Sequence, residues 1–196
     1  MNISKPSRDA FTESCPQPTL ETERLILRPF RLTDAADVQR MAGDRAIAET
    51  TATIPHPYPD GAAEAWIATH PDRSASGDSV TFALTRRDDG ALLGAIGLEI
   101  NAQMQRAELG YWVGKPYWNQ GYCTEASRAV LQYAFEARGL RRVFAQHYGR
   151  NPASGCVMLK AGMQPEGTLR QHTLKWGAVD DVLVYGVVRG EWRESS

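Results

Sequence analysis

Hydrophobic and polar positions alternate with changing periods along this 196-residue chain, and the changes predict its elements. Leu25-Ile26-Leu27, set between charged residues and followed by Pro29, predicts a strand ended by proline. Thr33 or Asp34 caps a predicted helix running to about Ala42. Pro55, Pro57 and Pro59 exclude regular structure from most of the stretch Ala46 to Asp60, which leads into a short helix over Gly61 to Thr69. Ser79 to Thr85, Ala91 to Ile100 and Ala107 to Val113 read as strands, and Asp89-Gly90 marks a hairpin turn between the first two. The period then becomes helical. Ala126, Ala129, Val130, Tyr133 and Ala134 share one face, and Gly139 closes that helix. Val143 to Tyr148 is the next strand. Asn151-Pro152 opens another helix, which Gly162 ends, and Met163 to Leu169 with Val179 to Val188 form a closing hairpin.

A strand, a helix and a strand in immediate succession imply a parallel pair joined by a crossover. The preceding meander is antiparallel, so the expected fold is an α+β mixed sheet. Residues 21–190 form one domain in this reading. A loose leader or draping arm precedes it over 1–20, and a short tail follows over 191–196. The apolar closing hairpin, with Val182, Val184, Val187 and Val188, suits either burial within the domain or a homodimer, so monomer and homodimer both stay open.

Composition changes this picture little. Hydrophobic residues make up 42% and charged residues 23%, ordinary values for a globular domain. Net charge is -1 and no basic run stands out, which argues against nucleic acid and a membrane surface as partners. No stretch reaches the roughly 18 apolar residues of a membrane span, and residues 1–18 carry no apolar signal core. Cys15, Cys123 and Cys156 form neither a disulfide framework nor a zinc pattern. A reducing, cytoplasmic compartment and no metal are therefore expected.

The most informative segment is Tyr117-Trp118-Asn119-Gln120-Gly121-Tyr122-Cys123-Thr124-Glu125-Ala126, between a strand and a helix. Free N–H groups and the dipole at a helix start make a ready pyrophosphate site, and Gly121 lets phosphate oxygens approach the backbone. With Ala107-Glu108-Leu109-Gly110-Tyr111-Trp112-Val113, Asn151-Pro152-Ala153-Ser154 and Lys160 to Gly167, it closely resembles the acyl-CoA-binding pattern of the GNAT superfamily of N-acetyltransferases. The likeness covers about Thr22 to Val188 and is strongest to the RimJ/RimL branch, which acetylates protein N-termini, and its relatives that acetylate small amines. Two positions depart from the general pattern, Trp118 at its start and Cys123 at its end. Asn119 stands where the branch often has glycine, so a slightly different turn is expected.

The resemblance implies acetyl-CoA as co-substrate and two adjacent parallel strands, Ala107 to Val113 and Val143 to Tyr148, splayed to admit its pantetheine arm. Backbone groups near Trp112 and Val113 then bond the arm and supply an oxyanion donor. The turn Asn119, Gln120, Gly121, Tyr122, Cys123 and Thr124 holds the pyrophosphate. Asn151 and Ser154 hold the cofactor near its sulfur, although the same two residues read equally as a helix cap and its first turn.

Direct attack of an amine on a thioester requires a neutral amine, a stabilised oxyanion and protonation of the leaving thiolate. Glu108 and Glu99 are the candidate bases. Ser154 and Tyr148 are the candidate acids, with His147 and His172 as alternative shuttles. A Cys123 nucleophile is conceivable at a helix start, but a ternary acetyl transfer needs no protein thiol. Some RimL-type proteins carry a catalytic glutamate shortly after the Glu-Gly pair. Thr168 to Thr173 here has no carboxylate. Three functions follow: transfer to a protein or peptide N-terminal α-amine, transfer to a small-molecule amine, or acyl-CoA binding by a regulator without catalysis.

Overall fold

The computed structural model of the chain describes residues 17–192. Most of the expected leader, with Cys15, and residues 193–196 of the tail lie outside them. An eight-stranded sheet runs in the order β1-β2-β3-β4-β5-β6-β8-β7. The strands are β1 (Leu20–Glu21), β2 (Leu25–Pro29), β3 (Ser79–Arg86), β4 (Leu92–Asn101), β5 (Arg106–Val113), β6 (Arg142–Tyr148), β7 (Gln164–Lys175) and β8 (Ala178–Val188). Every neighbouring pair is antiparallel except β5 and β6, which are parallel as the strand–helix–strand order requires.

The helices are α1 (Ala35–Ala42), α2 (Arg45–Thr50), α3 (Ala62–Ala68), α4 (His70–Ala75), α5 (Tyr122–Gln132) and α6 (Pro152–Lys160). They divide between the two faces of the sheet, and strand alternation supplies a core to each. Val80, Phe82 and Leu84 of β3 and Ala107, Leu109 and Val113 of β5 point to the α5 face, where Tyr122, Ala126 and Val130 meet them. Ala83 and Leu92 point the other way, against Val38 and Met41 of α1 and Ala63 and Ile67 of α3, with Trp112 packed alongside.

Several features differ from the sequence expectation, and β1 and α4 were not expected at all. The stretch from Ala46 is not all loop: Asp44 accepts from the Ala46 N–H at 2.8 Å and caps α2. Asp34 does not cap α1 with its side chain. Its carboxylate instead takes two 2.8 Å bonds from Arg28 and one from the Arg31 N–H. The closing hairpin is longer than its apolar pattern, because β7 continues through polar residues to Lys175 across a register break between Leu169 and Thr173. Val182 and Val187 are buried within the domain, while Val188 is exposed.

Candidate active site

β5 and β6 pair only at their starts. The ladder runs Arg106↔Arg142, Ala107↔Val143 and Glu108↔Phe144, then stops, although β5 continues to Val113 and β6 to Tyr148. Beyond Glu108 the two strands part and leave a gap lined by unpaired backbone edges. Those edges cost free energy if buried without partners, so a ligand with amides of its own fits there.

Alternation decides which β5 residues address the gap. The β4–β5 register is continuous from Gly94↔Val113 to Asn101↔Arg106, with no bulge. The Gly114 N–H donates to Leu93 of β4 at 2.8 Å. Residues of the same parity, Trp112, Gly110 and Glu108, therefore turn their backbone groups to β4, and Leu109, Tyr111 and Val113 turn theirs to the gap. Trp112, expected to bond the arm, thus turns its backbone groups to β4, and Tyr111 turns its own to the gap. Val113 keeps its N–H toward the gap, while its carbonyl accepts from the Trp118 indole at 2.6 Å. That bond explains tryptophan at the start of the turn: it fixes the turn to the end of β5.

The turn itself fits an anion. Gly121 is the N-cap of α5 at φ 82°, with no side chain closing the helix start. The N–H groups of the first turn are left without intrahelical partners and aim outward. Asn119 has φ 61°, in the left-handed region where glycine is favoured and asparagine tolerated. It therefore holds a conformation that glycine adopts without strain. Arg24 braces the turn from the bend just before β2. Its guanidinium donates to Glu125 at 2.8 Å and to the Gln120 carbonyl at 3.0 Å, and stacks 4.8 Å over Tyr122. Burial alone would raise the Glu125 carboxyl, but its bonds from Thr22 and Arg24 outweigh that and hold it below its ordinary value.

The remaining candidates separate by face. Ser154 lies on the α5–α6 side, where the Tyr111 hydroxyl meets its Oγ at 2.9 Å and its carbonyl at 3.1 Å. Asn151 caps α6, its side chain accepting from the Ser154 N–H at 3.4 Å. Glu108 lies on the opposite face. It borders a cleft of about 290 Å³ shared with Arg73, Asp78, Glu99, Arg106 and Phe144. Burial, then the nearby charge of Glu99, push its carboxyl above the usual range. Tyr148 shares its side of β6 with Phe144 and lies 5.9 Å from the Arg150 guanidinium. His147 is packed rather than placed in the gap. Its Nδ1 donates to the Tyr148 carbonyl at 2.8 Å, and its ring rests against Tyr185. His172 is exposed on β7. Burial pushes the Cys123 thiol up to about 12, so it stays protonated and packs.

A profile of the Acetyltransferase (GNAT) domain matches residues 24–164. The chain belongs to the GNAT acetyltransferase family. It is 33% identical over 178 residues to the uncharacterized N-acetyltransferase YoaA of Bacillus subtilis, a match covering 88% of this chain and 97% of that one. It is 31% identical over 105 residues to the ribosomal-protein-serine acetyltransferase of Escherichia coli, covering 53% and 58% of the two chains. Among solved structures, Mycobacterium smegmatis RimJ in complex with CoA-disulfide superposes with a TM-score of 0.77 at 24% identity, covering 87% of this chain and 85% of that one.

As a GNAT enzyme it is an acetyl-CoA-dependent N-acetyltransferase, and the gap between β5 and β6 is the parallel-strand splay of that fold. Among the described residues, no group of three His, Cys, Asp or Glu is placed to hold a metal ion. No described helix is long and apolar enough to cross a membrane. Sequence reasoning missed Arg24 and Tyr111. Arg24 lies about a hundred residues before the turn it braces, and nothing local signals that contact. Tyr111 escapes for a different reason: parity alone leaves two choices, and only the register with β4 decides between them.

Proposed function

We infer that the protein transfers the acetyl group of acetyl-CoA to a primary amine, and that its acceptor is the α-amine at a protein or peptide N-terminus. The observation that carries this reading is the parting of β5 from β6 immediately after Glu108, with Glu108 on one face and Ser154 on the other. A thioester held in that gap offers its carbonyl to an amine entering from the Glu108 cleft. Its sulfur points toward the Ser154 side.

In this reading the pantetheine amides bond the free edge of β5 at Tyr111 and Val113, and the pyrophosphate lies over Gln120 to Thr124. The Val113 N–H is the candidate oxyanion donor. Holding both substrates in one gap supplies a large part of the rate. Glu108, with its raised carboxyl, takes the surplus proton of the attacking amine, directly or through water. Ser154 offers its hydroxyl to the leaving sulfur.

An α-amine suits this site better than a lysine side chain. About a tenth of α-amino groups are neutral at pH 7, against a few parts in ten thousand for lysine. A site with no carboxylate between Thr168 and Thr173 suits an acceptor that is already partly neutral. The relatives named ribosomal-protein-serine acetyltransferase and ribosomal protein uS5-alanine N-acetyltransferase support the same class. A small-molecule amine is the second reading. It is favoured by the contact between the β7–β8 hairpin and the stretch after α2, which narrows access to the region between them: Lys175 bonds the Thr51 carbonyl, and the Trp176 ring lies 6.0 Å from that of His56.

The test is an acetyl-CoA reaction with a mixed pool of peptides, free amino acids, polyamines and aminoglycosides, read by mass spectrometry. Acetylated peptide α-amines are expected. Acetylation confined to small amines moves the assignment to the second reading. Acetyl-CoA binding with no product on any amine favours a regulator.

A further inference from the structure

The Tyr111 side chain bridges the opened part of β5 to the first turn of α6. Its hydroxyl carries a single hydrogen and has two acceptors within reach on one residue, the Ser154 carbonyl at 3.1 Å and the Ser154 Oγ at 2.9 Å. Two arrangements follow from that count. When Tyr111 donates to the carbonyl, its oxygen accepts the Ser154 hydrogen, which then points at the ring. When Tyr111 donates to Oγ, the Ser154 hydrogen is released from Tyr111 and can turn to the gap.

We propose that Tyr111 is a positioning residue for acetyl transfer, one that sets the direction of the Ser154 hydroxyl and turns it onto the leaving sulfur. The proposal rests on the acetyl-transfer reading above. As the amine nitrogen bonds to the carbonyl carbon, the C–S bond breaks and its electron pair goes to sulfur. A developing thiolate is a stronger acceptor than a neutral phenol oxygen, so it draws the Ser154 hydrogen away from Tyr111. Tyr111 then gives its own hydrogen to Oγ, and the chain Tyr111–Ser154–sulfur polarises in one direction. No proton has to leave either residue. The amine's surplus proton exits through Glu108, and CoA departs as the thiolate and takes a proton from solvent. Burial, the larger cause, and the neighbouring Cys123 both raise the phenol well above its ordinary value. Tyr111 thus remains a donor at any working pH.

The experiment compares wild type, Tyr111→Phe, Ser154→Ala and the double variant, each with acetyl-CoA and with its selenium analogue. The selenolate is a far weaker base than the thiolate and needs less help to leave. With acetyl-CoA, Tyr111→Phe is expected to lower kcat about tenfold, the worth of one hydrogen bond in the transition state, with KM for acetyl-CoA unchanged. With the selenoester the loss should shrink toward one. The double variant should be no slower than Ser154→Ala alone. A fluorotyrosine at position 111, which keeps the ring and the oxygen, should retain wild-type kcat and guards against a simple folding defect in the Phe variant. Equal losses with both esters, additive losses in the double variant, or loss confined to KM would overturn the role of Tyr111. Absence of wild-type turnover on every amine would sink the acetyl-transfer reading itself.

Discussion

Glu108 stands directly opposite Glu99 across the β4–β5 ladder, carboxylate beside carboxylate. Arg73 pairs with Glu99 at 2.5 Å. Burial and this like-charged neighbour hold the Glu108 carboxyl above the ordinary value of 4.5. In a general base the raised affinity for a proton is useful, and in the fold it is a cost. Glu108→Gln should therefore lower kcat/KM on the order of a hundredfold and abolish the acidic limb of its pH profile. That limb should lie above the value of an unperturbed glutamate. The effect on stability has the opposite sign. The folded state holds this proton to higher pH than the unfolded chain, so wild-type stability falls as pH rises from 4.5 through the folded value and then levels off. The Gln variant should lack that fall, as thermal melts across pH 4 to 8 would show. An unchanged pH–rate profile would remove Glu108 from the mechanism.

Gly121 tests the anion turn. At φ 82° a side chain is strained wherever it finds room, and a branched one costs about 1–2 kcal/mol. Gly121→Val should raise KM for acetyl-CoA about tenfold or more while moving acceptor KM little. Asn119→Gly, at φ 61°, should be nearly silent. Calorimetric titration with CoA reads both, and a silent Gly121→Val would argue against a pyrophosphate over this turn.

Gly155 sets how closely α6 approaches β6. A methyl group there would lie 2.6 Å from His147 Nε2 and 3.1 Å from Tyr185 Oη, so something must move. Gly155→Ala should cost about 1–3 kcal/mol by overpacking, and should lower kcat because Ser154 rides on the same turn. Melting curves and turnover together check this. Lost stability with full turnover would show that the placement of Ser154 is not critical.

Arg28 and Asp34 tie β2 to the start of α1 by a two-pronged, largely buried ion pair. Burial by itself would raise the Asp34 carboxyl, but the Arg28 side chain and the Arg31 N–H outweigh it and hold it below 3.8. The stabilisation is therefore complete above pH 3.8 and lost as pH falls through the lower folded value. Asp34→Ala should cost about 3 kcal/mol at pH 7 by stranding a buried guanidinium, and the deficit should narrow in strong acid. Denaturant melts at pH 7 and pH 3 measure it.

Much of this architecture was legible in the chain. The meander, the parallel pair and both glycine-ended helices follow from periodicity and turn residues, because each buries an apolar face with a regular spacing. α2 and the outer half of β7 were not legible, since they are held by a cap and by edge pairing rather than by an apolar pattern. The strand-to-helix turn at Gly121 was readable from that glycine and its neighbours. Its partners were not: Arg24 arrives from a bend far back in the chain, and the backbone directions of Trp112 and Tyr111 depend on the register with β4, which only the assembled sheet defines.

The most direct test of the account is a crystal structure of the protein with CoA bound. It should place the pantetheine arm between β5 and β6, bonded to the backbone of Tyr111 and Val113, with the pyrophosphate over Gln120 to Thr124 and the sulfur within reach of Ser154. Pantetheine bound elsewhere, with β5 and β6 still parted and empty, would contradict it.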